Sequence, residues 1–132
     1  MTSLLAQSIE VPFNDESIKI AGVEWGDNDG LTVSIKSKRS SRSCKVYFES
    51  AEGIRMLHEL NLASWWLSAP RQELARSWLH QVKSGGWFDF EATRLDFYSQ
   101  HETKVPEYLI AGFQECLSVL SISQPVVIEA RE

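Results

Sequence analysis

The chain has 132 residues, 43% hydrophobic and 23% charged, with a formal net charge of −5. That length and balance suit one folded domain, exclude disorder of the whole chain, and make a disulfide or metal staple unnecessary. The acidic total argues against general nucleic-acid binding, which draws on phosphate neutralisation.

The charge is unevenly spread. Residues 1–30 carry six acids and one base, 31–83 four acids and nine bases, and 84–132 eight acids and three bases. The first residues, MTSLLAQSIEVPF, show no basic region and no long apolar run, so no signal peptide is expected. No apolar stretch approaches the ~20 residues of a membrane helix. The expected location is cytoplasmic, with Cys44 and Cys116 as free thiols.

In chain order, residues 1–16 read as a loosely ordered arm or a short edge element, punctuated by Pro12 and Asn14-Asp15. Ser17–Trp25 alternates as a strand, and Gly26-Asp27-Asn28-Asp29-Gly30 is a dense turn signal. Leu31–Ser37 and Cys44–Glu49 both alternate with period two around the polar loop 38–43, which predicts an antiparallel meander of three strands. Ile54–Leu60 fits either strand or helix. Asn61 can cap a helical turn over Leu62–Leu67, and Pro70 suits the first turn of a helix running to about residue 76.

Residues 77–83 are ambiguous between helix and strand. The strand reading pairs Trp78–Lys83 with Trp87–Ala92 across Ser84-Gly85-Gly86, and puts Phe88 and Phe90 on one face. Arg94–Pro106 reads as a polar loop. Glu107–Phe113, Glu115–Ser121 and Pro125–Glu129 read as three further strands of a second meander, with turns at 112–114 and 123–125. The expected architecture is α+β: a single domain spanning 1–132, built on one curved antiparallel sheet of about six to eight strands. One or two short helices from the 61–76 region pack on it.

Chemistry-bearing residues are sparse. His58, His80 and His101 lie in separate segments without metal-type spacing, and the cysteines form no CxxC, so neither metal nor cofactor is expected. Cys44, between Arg42 and Lys45, is the more reactive thiol if exposed, but its alternating strand favours a buried one. Asp89 and Glu91 would share a face of a strand, near His101, as an acid/base pair or as a wet strand face. Lys38, Arg39 and Arg42, in a stretch free of acids, could contact an anion or RNA, or simply form a solvated hairpin tip. Of five tryptophans, one or two could be exposed in a binding patch.

The segment Gly85-Gly86-Trp87-Phe88-Asp89-Phe90-Glu91, with Glu107-Tyr108-Leu109-Ile110, Cys116, Val119-Leu120-Ser121 and Pro125, resembles a group of small acidic bacterial proteins over roughly residues 77–128. Some proteins of that kind are immunity proteins of toxin systems. The resemblance implies a bacterial, cytoplasmic, non-enzymatic protein and assigns no residue a role. The functional expectation is therefore protein–protein recognition, with a basic toxin domain as one partner and Asp89, Glu91, Phe97, Tyr98 and His101 as the contact residues. Two alternatives stay open: a small hydrolase-type enzyme using Asp89, Glu91 and His101, and an RNA-contacting protein using the basic loop 36–45. No membrane partner is expected, and the oligomeric state, a homodimer included, is open.

Overall fold

The computed structural model describes residues 4–27, 29–62, 71–94, 96 and 105–130. Nine strands form among them: β1 (Leu5–Ser8), β2 (Ile18–Gly26), β3 (Gly30–Ser37), β4 (Ser43–Phe48), β5 (Ala51–His58), β6 (Leu79–Ser84), β7 (Glu107–Ala111), β8 (Glu115–Ser121) and β9 (Val126–Glu129). A 3-10 turn spans Glu59–Leu62, and two short helices follow, α1 (Arg71–Ala75) and α2 (Trp87–Glu91). No described helix is long and apolar enough to cross a membrane.

The strands divide into two antiparallel sheets, of order β2-β3-β4-β9 and β1-β6-β7-β8-β5. The expected β2-β3-β4 meander is present, with Lys36 opposite Ser43 beside the 38–42 tip. Alternation does the work here. Leu31, Val33 and Ile35 of β3 and Cys44, Val46 and Phe48 of β4 are buried on one face, while Thr32, Ser34, Lys36, Lys45 and Tyr47 line the other. The buried face meets Leu79, Tyr108, Ile110, Leu117 and Val119 of the second sheet, with Phe13 and Trp78 plugging the rim at a ring separation of 6.0 Å.

β7 and β8 are buried on both faces, which explains their near-continuous apolar run. Their second face, carrying Leu109, Cys116 and Leu120, is covered by Leu4, Leu62, Leu74, Val105 and Phe88. The molecule is thus layered: sheet, sheet, and a helical cover.

The single curved sheet expected from the sequence is replaced by these two. The reason is a corner. β4 runs into β5 through Glu49-Ser50, and β8 runs into β9 through 122–125, so both strands of one antiparallel ribbon leave the five-stranded sheet together and enter the four-stranded one. Hydrogen bonds fasten the bend: Ser50 N–H donates to Ser123 Oγ (2.9 Å), Ile122 N–H to the Ser50 carbonyl (3.2 Å), and Ser121 Oγ–H to the Ser123 carbonyl (2.8 Å). β9 therefore pairs with β4, and does not fold back on β8 as a second meander would require.

Other expectations divide. Residues 5–8 are the edge element, paired with β6. Residues 79–84 are strand, but they pair with β1 and β7 and not with 87–92. Asn61 lies inside the 3-10 turn that starts at Glu59, so it is not a cap, and 63–67 lie outside the described residues. The helix expected near Pro70 forms over Arg71–Ala75.

Candidate functional site

The segment expected as a strand at 87–92 is a helix, and this changes the candidate site. Gly85 adopts φ +75°, a conformation open to glycine at little cost. Gly86 then begins α2 against the buried Glu107 of β7. A Cβ at Gly86 would lie 2.6 Å from Glu107 Oε2 and 2.7 Å from Val82 Cγ1, so only glycine fits. Glu107 accepts hydrogen bonds from the N–H groups of Trp87 (3.0 Å) and Phe88 (2.7 Å), two donors that a helix start leaves unsatisfied. Asp89 closes the other side by accepting from Gly85 N–H at 2.8 Å.

Helical geometry separates what a strand would join. Phe88 turns into the core at 6% exposure, whereas Phe90 stands out at 70%. Asp89 and Glu91 likewise diverge, so the paired-carboxylate face does not exist. Each has a structural partner: Asp89 the Gly85 amide, and Glu91 the Trp87 indole N–H (3.3 Å) and the Arg94 guanidinium (2.6 Å). Arg94 also reaches Asp96 at 3.1 Å, and the Asp96 side chain is 81% exposed. Phe97, Tyr98 and His101 lie outside the described residues.

Trp87 is half-buried over Gly53, with Arg55 5.5 Å from its ring centroid, inside the range of a cation–π contact. Burial pushes the Glu107 carboxyl above the usual range, against the lowering effect of its two amide donors and of Arg55. Burial also lowers the Arg55 guanidinium from its ordinary value. The helix is thus clamped to the sheet by a buried carboxylate, and its outer side shows Phe90, Thr93, Arg94 and Asp96 to solvent.

The basic loop is less free than its sequence suggests. Arg42 forms a two-pronged pair with Glu129 (2.6 and 3.0 Å) and sits 5.1 Å from the Phe13 ring centroid. Lys38 lies over the exposed Phe113 ring at 4.4 Å. Arg39 is exposed, but Ser37 and Ser40 beside it donate to Glu16, which brings an acid to the tip. Local acids therefore offset the anion site expected at Lys38, Arg39 and Arg42.

His80 is fully buried in β6, with Nδ1 3.4 Å from Ser8 Oγ and Nε2 without a hydrogen-bond partner. Burial lowers its pKa from the ordinary histidine value. Ser8 Oγ–H donates to the Glu73 carbonyl at 2.6 Å, so its proton is committed and the serine is not poised as a nucleophile. The 320 Å³ cleft nearby, lined by Ser8, Asn14, Glu73 and Arg76, is open and polar. Both cysteines are buried, with thiols pushed up to about 11. Among the described residues, no three His, Cys, Asp or Glu side chains converge as a metal site needs.

The sequence missed two residues that shape the site. Glu107 sits inside an apolar run, and an acid there signals a buried acceptor. Alternation puts Phe90 on one face with Phe88, although Trp87–Glu91 and Glu91–Arg94 have helical i,i+4 and i,i+3 spacing. Trp25 is 49% exposed at the β2–β3 tip and Trp78 is buried, while Trp65 and Trp66 lie outside the described residues. No family model, no curated protein and no solved structure matches the chain.

Proposed function

We propose that this chain is a non-catalytic recognition protein whose docking surface centres on Phe90 of α2. The observation that carries the reading is a large aromatic side chain, 70% exposed, on a helix fixed to the sheet by a buried carboxylate. A rigid, exposed aromatic loses little entropy on binding and is a frequent interface anchor. Asp96 and the acidic excess of residues 84–132 supply the long-range attraction that steers a basic partner. The resemblance to immunity proteins points the same way, to a basic toxin domain covered by this surface. Asp89 and Glu91 act within the surface as braces and not as direct contacts.

The test pairs the purified chain with the product of the adjacent gene. Calorimetry should show binding, weakened at least tenfold by Phe90→Ala. Asp96→Lys should slow association at low salt and leave dissociation nearly unchanged. Binding indifferent to Phe90→Ala moves the surface elsewhere. Absence of binding removes the immunity reading.

A further inference from the structure

The four outer strands of the two sheets are not protected alike. Strand edges invite pairing with another chain, and bulges are one of the devices that blunt them. β1 has an irregular register at Leu5/Ala6, β2 at Ile20/Gly22 and β5 at Ala51/Gly53. β9, the remaining edge, pairs with β4 in unbroken register. It also shows Val126 and Ile128 to solvent at 52% and 62%.

The backbone of β9 is poised for a further strand. Ala130 N–H donates to the Ser43 carbonyl, so the polar groups of Val126 and Ile128 turn towards β4 by alternation. Those of Val127 and Glu129 turn outward, and among the described residues no strand pairs with them. We propose that β9 is a self-association edge, and that a second copy of this chain adds its own β9 antiparallel about Val127.

The occupant is argued from self-complementarity. In that register Val127 exchanges both bonds with its counterpart, and Glu129 N–H donates to the opposite Pro125 carbonyl. Pro125 has no N–H to leave orphaned. On the outer face Val126 meets Ile128 of the other copy, and the reverse, so both apolar pairs are covered. Flanking them, Lys45 sits beside Ile128 and Tyr47 beside Val126 on β4. The two Lys45 side chains then stand about 14 Å apart, three strand spacings, so no like charges oppose. Glu129 is already paired with Arg42 of its own chain. The result joins two four-stranded sheets into one of eight strands with closed two-fold symmetry.

So short an edge makes a weak dimer. Sedimentation of the full chain from about 10 µM to about 1 mM should show the mass rising from 15.0 kDa towards twice that value. Amide exchange at Val127 and Glu129 should slow over the same range. Ile128→Lys should weaken association at least tenfold while keeping the melting temperature. Val127→Pro, which deletes an outward-facing donor but also trims a side chain packed on the core, should weaken it at least tenfold with some loss of stability. Because exchange is read on the unaltered protein, the test stands even if a variant fails to fold. A chain that stays monomeric at 1 mM, a dimer that survives both folded variants, or Val127 exchange indifferent to concentration overturns the proposal.

Discussion

Replacing Glu107 by alanine tests whether the buried carboxylate holds α2 in place. The substitution removes the acceptor of two amide bonds, at 3.0 and 2.7 Å. Each amide left buried without its acceptor costs about 1–3 kcal/mol. The orphaned amides can regain water if α2 frays, and fraying instead surrenders the burial of Phe88, about 1.5–3 kcal/mol. The protein takes the cheaper route, so the loss is about 1.5–3 kcal/mol. For a chain of this size that lowers the melting temperature by roughly 5–12 °C. Urea unfolding, with near-ultraviolet circular dichroism for the Trp87 environment, measures it. Gly86→Ala should also destabilise the protein, and by less in the Glu107→Ala background, since part of the clash is with the carboxylate. The pH dependence is a further handle. The carboxyl of Glu107 is raised on folding, so its contribution is fully present below the unfolded value and is lost as pH rises through the folded one. Glu107→Gln should flatten that slope. A loss below about 1 kcal/mol on Glu107→Ala would refute the clamp.

Three further outcomes are expected. His80 is lowered by burial, so its contribution is complete above the unfolded histidine value and is lost as pH falls from there through the folded value; unfolding titrations should show this acid-side slope, and His80→Gln should remove it. The two thiols should resist alkylation in the native state and react together only on unfolding, with no loss of two hydrogens by non-reducing mass spectrometry. Gly30→Ala should cost more than about 1 kcal/mol by thermal melting, because φ is +73° there and a Cβ would meet the Phe48 carbonyl at 2.7 Å.

The meander of β2, β3 and β4 was legible because β3 and β4 bury one face and wet the other, and β2 does so at Ile18 and Ile20, so period two marks the element and its inner side. The strands β7 and β8 were legible from length and turn residues. Their pairing with each other across 112–114 was legible as well, from the turn. Their outer partners β6 and β5, and what covers their two faces, were not, since a strand buried on both faces carries no alternation to orient it. Nor was the corner, which depends on Ser50, Ser121 and Ser123 meeting across the sequence. The candidate site failed for a local reason. Trp-Phe-Asp-Phe-Glu alternates too briefly to separate one helical turn from a short strand. What decides is Glu107, sixteen residues beyond the helix, waiting at the register where the Trp87 and Phe88 amides arrive.

The corner ribbon also sets an order of assembly. β2, β3 and β4 follow one another closely and can pair as soon as they leave the ribosome. β4 then has no partner on its far side, and β5 none at all, until β9 and β8 are made, with Tyr47 waiting for Val126 and Ile54 for Val119. The five-stranded sheet lacks its inner strand β8 for the same interval. Pairings so distant in sequence close slowly, and the apolar strands left uncovered meanwhile are the surfaces a chaperone would bind. β8 completes the five-stranded sheet and β9, which follows it directly, the four-stranded one, so both sheets close only when the end of the ribbon is made.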